Sequence, residues 1–257
     1  MLAVLLAAAE VRAGFIGNPA PEVAGVHSFR HGLDMDRTSR KLVTSRWNSP
    51  VTLTSTRFAA RESYGLTGWK DILIEVSGIF GISKANIDFG TVDLAAAPSN
   101  LATAAFFWET YAPDVPHFNG RRTLTFGDGY GPLLGAALRS RLFEWRGISL
   151  SLGGQVMYSR NADTGQPAMD FFYNEWDLFA GASWERRFFS FYAGVDQSWL
   201  VGEITTQSDA IGTDLDQETA LGAFAGTSFH FYRHWDIVGE MRLINQSSFS
   251  LQVLYEF

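Results

Sequence analysis

Residues 148–159 read Ile-Ser-Leu-Ser-Leu-Gly-Gly-Gln-Val-Met-Tyr-Ser. Ile148, Leu150, Leu152, Val156 and Tyr158 fall on one side of an extended chain, and Ser149, Ser151, Gly153, Gln155 and Ser159 on the other. A period of two belongs to a strand, because successive side chains of a helix turn by a different angle. The same phase runs outward in both directions. Leu134, Ala136, Leu138 and Leu142 oppose Gly135, Ala137, Arg139 and Arg141; Trp176, Leu178, Ala180, Ala182 and Trp184 oppose Glu175, Asp177, Gly181, Ser183 and Glu185. Phe189, Phe191, Ala193, Val195, Trp199 and Val201 oppose Ser190, Gly194, Asp196 and Ser198, and Leu221, Ala223, Ala225, Phe229 and Phe231 oppose Gly222, Gly226, Ser228 and His230. Ile237, Met241 and Leu243 oppose Glu240 and Arg242; upstream, Ile72, Ile74, Val76, Phe80 and Ile82 oppose Glu75, Ser77, Gly81 and Ser83. The final stripe is Phe249, Leu251, Val253, Tyr255 and Phe257.

A soluble sandwich alternates too, so other features must decide. These strands run to about ten residues or more, the length that crosses a bilayer at a tilt, whereas sandwich strands average about five to six. The charges share the face of Gly and Ser, as in a polar barrel lumen. Aromatics such as Trp145, Tyr158, Trp176, Trp184, Trp199 and Trp235 mark strand ends, as interfacial girdles do. Tight connections at 144–147, 186–187 and 232–235 alternate with longer polar ones at 161–170 and 203–218. Short periplasmic turns and longer external loops are the barrel rule, and the short link at 245–247 fits it least. The reading is all-β: a transmembrane antiparallel β-barrel of the outer membrane. Eight strands are marked from residue 70 onward, and residues 51–66 with one earlier strand bring the count to ten, within a range of 8–12.

Residues 1–13, MLAVLLAAAEVRA, read as a signal peptide, with an apolar run and small residues before Gly14, although Lys and Arg are missing from its start. Residues 14–50 read as an N-terminal arm or first strand region, residues 51–257 as the barrel, and residues 91–120 as a long external loop. No later run supplies the ~20 apolar residues of a membrane helix. The net charge of −7 argues against nucleic acid as a partner, and the absence of Cys excludes disulfides and thiolate metal sites.

Candidate pore-lining residues are the inward charges Glu75, Arg139, Arg141, Glu175, Asp177, Asp196, His230, Glu240 and Arg242, with Glu185 and Glu256 on the same face. Such groups must pair or stay wet. Paired, they fill a narrow barrel; hydrated, they line an ion path in which the carboxylate excess favours cations. The five histidines lack metal-ligand spacing, the glycines at 127–131 lack a phosphate-gripping Lys, and Asp209, Asp214, Asp216 and Glu218 lack the spacing of a calcium loop. These features imply no cofactor, no metal and no enzyme.

Several segments resemble the chlamydial major outer membrane porin family. GFIGNPAP at 14–21 resembles its mature start; ALRSRLFEWRGISLSLGGQVMYSRN at 137–161 and DFFYNEWDLFAGASWERRFFSFYAGVDQSW at 170–199 resemble two of its hairpins. WDIVGEMRLINQSSFSLQVLYEF at 235–257 resembles its last hairpin, most specifically in E-x-R-L-I-N and the final Phe257. The resemblance covers about half the chain. It implies a porin passing small solutes by diffusion, with Phe249, Leu251, Val253, Tyr255 and Phe257 as the signal read by the barrel-assembly machinery. Outer-membrane lipids are then partners and a homo-oligomer is left open. The family is larger and cysteine-rich, so its cross-links do not carry over and a narrower lumen is expected. The alternative is a closed structural or adhesive barrel with binding loops.

Overall fold

The structure is a computed structural model and describes residues 27–45, 50–66, 72–93, 121–126, 129–163, 169–206, 212–217, 221–231, 234–244 and 246–257. Among these are twelve strands: β1 (Phe29–Thr44), β2 (Pro50–Leu66), β3 (Leu73–Asp93), β4 (Arg121–Phe126), β5 (Tyr130–Trp145), β6 (Ile148–Asp163), β7 (Met169–Glu185), β8 (Phe189–Thr206), β9 (Gly212–Gln217), β10 (Leu221–Phe231), β11 (Trp235–Leu243) and β12 (Gln246–Glu256). The eight strands marked in the sequence are β3, β5–β8 and β10–β12. They close with β1 and β2 into a ten-strand antiparallel barrel, in which β12 pairs with β1 and β8 with β10. Closure matters because it leaves no row of unpaired backbone groups facing lipid. At the seam the Phe257 N–H donates to the Phe29 carbonyl at 3.0 Å.

The expected outward stripes are outward. Leu150, Leu152, Trp176, Leu178, Val195, Phe229, Phe249 and Leu251 are all exposed. From Ile148 to Tyr158 the stripe rises about 26 Å, at about 3.4 Å per residue and a tilt near 40°, against an apolar band of about 25 Å in barrels of this class. Arg146 and Gly147 take positive φ in the tight β5–β6 turn, where Arg146 also lies over the Trp145 ring.

Three assignments need correction. The loop at 203–218 contains the end of β8 and all of β9, and the one at 161–170 is shortened by β6 and β7. Residues 91–93, taken as loop, continue β3 and pair with β4. β9 pairs with both β8 and β1. It does so because β10, β11 and β12 are only 11, 9 and 11 residues long, against 16 and 18 for β1 and β8. The taller strands would otherwise carry unpaired edges above their short neighbours. The same step explains the short link after Leu243: that hairpin stops low on the wall. The signal-peptide reading, residues 14–26 and most of the 91–120 loop fall outside the described residues.

Glycine makes room where the inner wall is crowded. A side chain at Gly226 would collide with the Tyr192 ring, whose hydroxyl donates to Glu240 Oε2 at 3.2 Å. Gly226→Val is expected to cost about 1–3 kcal/mol through overpacking, read as a lower urea midpoint of the detergent-solubilised barrel. An unchanged midpoint would show that the wall can relax there.

Candidate functional site: a charged layer across the lumen

Alternation that puts apolar side chains outward must put their neighbours inward, and here the neighbours are charged. Six arginines (Arg30, Arg40, Arg57, Arg61, Arg139, Arg242) and seven carboxylates (Asp34, Asp36, Glu75, Glu175, Asp177, Asp196, Glu240) are buried among the described residues. Glu175 on β7 is the hub. It accepts from Arg57 of β2 at 2.6 Å and from Arg40 of β1. In the ten-strand order β1 and β7 lie five strands apart by either route, but at the height of Arg40 and Glu175 β9 joins β8 to β1, so the route through β9 and β8 is three strands. Arg40 reaches over that shorter arc of the wall; its other nitrogen donates to Ser198 of β8 at 2.6 Å and to Gln217 of β9 at 3.0 Å.

A second arm crosses from β11. Arg242 lies 3.7 Å from Asp177 and 3.8 Å from Asp196, and its Nε donates to Glu240 at 3.2 Å. Gln155 donates to Asp177 at 2.8 Å. Nearer the tight turns, Arg61 meets Asp34 at 3.1 Å, while Arg30 holds Glu256 at 2.8 Å and approaches Glu75 at 3.8 Å. Arginines from β1, β2 and β11 thus lean onto the acids of β7 and β8. Full desolvation makes each pair dependent on its partner, since a lone buried charge is costly.

Of the nine residues named as pore-lining, Glu75, Arg139, Glu175, Asp177, Asp196, Glu240 and Arg242 are buried inside the barrel. Arg141 and His230 belong to its turn end, where Arg141 pairs with Glu144 at 2.9 Å and His230 with Asp236 at 2.8 Å. Sequence reasoning missed Arg30, Asp34, Asp36, Arg40, Arg57 and Arg61. The signal existed in Asp34-x-Asp36-x-Thr38-x-Arg40 and Arg57-x-x-x-Arg61, both of even spacing.

From the level of Arg40 and Glu175, whose register neighbours are Leu53 and Leu200, to the loop end the polarity of the wall inverts. Leu42, Val51, Leu53, Ile87, Leu133, Leu200, Ile204 and Leu215 point inward and are buried, while outward positions of the same strands carry Lys41, Thr52, Thr54, Asn86, Glu203 and Asp216. The loop end therefore encloses an apolar layer resting on the charged one. A polar stripe runs beside both arms: Thr38 of β1 and Gln246, Ser248, Ser250 and Gln252 of β12 are buried, and each has a side-chain polar atom with no hydrogen-bond partner among the described residues. Buried hydroxyls and amides require such partners.

No family model matches the chain, and no curated protein matches it. Among solved structures it is similar to the toluene transporter TbuX of Ralstonia pickettii, with 11% identity over 90% of this chain and 89% of that one at a TM-score of 0.44. It is also similar to an outer membrane channel of Pseudomonas putida F1, with 11% identity over 96% and 100% of the two chains at 0.43. A third, the monoaromatic hydrocarbon channel CymD, shows 10% identity over 93% and 90% at 0.41. At such scores the likeness carries nothing about cargo; the barrel rests on its own strand pairing.

Proposed function

We propose that this chain is a porin-like channel of the bacterial outer membrane, held shut at rest by the arginine arms on Glu175 and passing small solutes or ions when those arms yield. The observation that carries this reading is the polar stripe of Thr38, Gln246, Ser248, Ser250 and Gln252 beside the crossing. A plug with no passage to hold would be satisfied more cheaply by apolar side chains, whereas this stripe needs water or a polar solute. Hydrophobic constrictions also gate by dewetting, and the apolar layer at the loop end suits that role. Planar-bilayer recording of the purified barrel is expected to show a channel closed for most of the record with brief openings. A well-folded wild type that stays silent at all voltages would favour the second reading.

That second reading is a closed structural or adhesive barrel, favoured by the direct contact of Arg40 of β1 with Glu175 of β7. Kinship with the chlamydial major outer membrane porins is part of the proposal and rests on the segments quoted above. The lipid-facing stripe ending at Phe257 as an assembly signal, and the association of copies, belong to the same proposal.

The orientation follows the loops: tight turns to the periplasm, loop end outward. Because the chain has no Cys, single cysteines report cleanly. In intact cells Asp216→Cys, exposed at the loop end, is expected to react with an impermeant maleimide, and Arg187→Cys at the turn end only after lysis. The opposite pattern would invert the barrel.

A further inference from the structure

The outward face of β1–β3 at the loop end carries three stacked rows that no lumen function uses. Strand register places Arg37, Thr56 and Lys84 side by side, then Ser39, Thr54 and Asn86, then Lys41, Thr52 and Asp88. They border a hollow of about 530 Å³ lined by Arg37, Thr52, Thr54, Thr56, Lys84, Asn86 and Asp88. Lys84 also lies 5.6 Å from the centre of the exposed Tyr130 ring. Directly below the first row the register places Met35, Phe58 and Ile82, all between 43% and 48% exposed. Apolar contact thus gives way to cations within one step of two residues, about 7 Å along the strand.

We propose that this terrace binds the phosphorylated sugar headgroup of an outer-leaflet glycolipid. Acyl chains lie on Met35, Phe58 and Ile82. Arg37 and Lys84 take phosphate oxygens, where charge-assisted hydrogen bonds are strongest. The hydroxyl and amide rows above, Ser39–Thr54–Asn86 and Thr52, meet the sugar, with Asp88 placed to accept from its hydroxyls and Lys41 balancing that carboxylate. The rows decide the source of the phosphate: a simple phospholipid ends at the cations, whereas a sugar head extends over two further rows. The patch holds three cations and one carboxylate in a chain of net charge −7, so this is not the general charge of the surface. The inference rests on the outward orientation of the loop end.

The full-length barrel in nonionic micelles is titrated with diphosphoryl lipid A, with the dephosphorylated lipid and with phosphatidylglycerol. Diphosphoryl lipid A is expected to bind tightest. Arg37→Gln/Lys84→Gln should weaken it about tenfold, and Lys84→Arg should retain it. Thr54→Val/Thr56→Val, isosteric and outward, should weaken it less and without loss of the heat-modifiable folded band. Arg160→Gln, an outward arginine on β6 already paired with Asp170 at 2.7 Å, should change nothing. Equal affinity in the double cation variant overturns the proposal, as does phosphatidylglycerol binding as well as lipid A. The channel reading is judged separately: a silent barrel that binds lipid A overturns that reading and keeps this one, and a conducting barrel that does not bind does the reverse.

Discussion

Glu175→Gln lowers the unfolding free energy by about 3–5 kcal/mol, the range for breaking a buried pair from one side. The carboxylate accepts from Arg57, whose other nitrogen meets the Met157 sulfur at 3.7 Å, and it is also an acceptor of Arg40. Neither guanidinium can discharge itself by losing a proton, so two buried positive charges on the neighbouring strands β1 and β2 would be left without the carboxylate they share. Asp36, 3.8 Å from Arg57, compensates only in part. Urea unfolding of the refolded barrel, followed by tryptophan fluorescence or by loss of the heat-modifiable band, measures the effect. A change under about 1 kcal/mol, the size of a surface ion pair, would mean that the crossing is solvated and that Glu175 is no hub.

Removing the whole crossing has the opposite profile. The Arg40→Ser/Arg57→Ser/Glu175→Gln triple variant strands no guanidinium; it leaves Asp36 without its neighbour Arg57, but a carboxylate, unlike a guanidinium, can neutralise itself by binding a proton, and replacing a buried ion network is often neutral or even stabilising. Its stability is expected to return close to wild type while its single-channel conductance rises several-fold, because two long side chains that reach through the lumen to Glu175 become hydroxymethyl groups on one wall. Bilayer recording of wild type, E175Q and the triple variant side by side separates gate from scaffold. A triple variant that is stable, correctly folded and no more conductive than the wild type would place the barrier elsewhere, in the apolar layer of Leu42, Leu53, Leu200 and Leu215. Coupling of this kind is expected only among groups in contact, so Arg30→Gln, whose partners are Glu75 and Glu256 near the turn end, should leave conductance nearly unchanged.

How much of this could be read in advance depended on which side of the wall carried the apolar residues. In β5–β8 and β10–β12 the apolar stripe stays outward over most of the strand, so period two survives inspection and the phase of every residue follows. In β2 the stripe changes sides. Val51 and Leu53 are buried inside, Thr52, Thr54 and Thr56 lie outside, and from Phe58 on the outward positions become apolar again at Phe58, Tyr64 and Leu66. An averaged pattern over such a strand looks like poor alternation, although its geometry is regular. β1 alternates cleanly, but its outer face mixes Phe29, Leu33 and Met35 with His31, Arg37 and Lys41, which reads as loop composition. Those two strands supply four of the six buried arginines, so half of the crossing went unseen with them. β9 escaped for another reason: six residues, Gly-Thr-Asp-Leu-Asp-Gln, become a strand only because β8 and β1 outgrow their neighbours.

The sequence alone therefore determined the all-β class, a strand count between eight and twelve, the face each residue takes on eight strands, and the inward placement of Glu75, Glu175, Asp177, Asp196, Glu240 and Arg242. Each follows from local periodicity, because a strand's neighbours i and i+2 share a face whatever the rest of the chain does. Only the tertiary structure decided that Arg40 and Arg57 end on Glu175. Pairing across a barrel is set by closure, shear and side-chain reach, which join residues 118 and 135 positions apart, and no local pattern encodes that distance. The stripe that ends at Phe257 showed a barrel; what stands inside it was settled when β12 met β1.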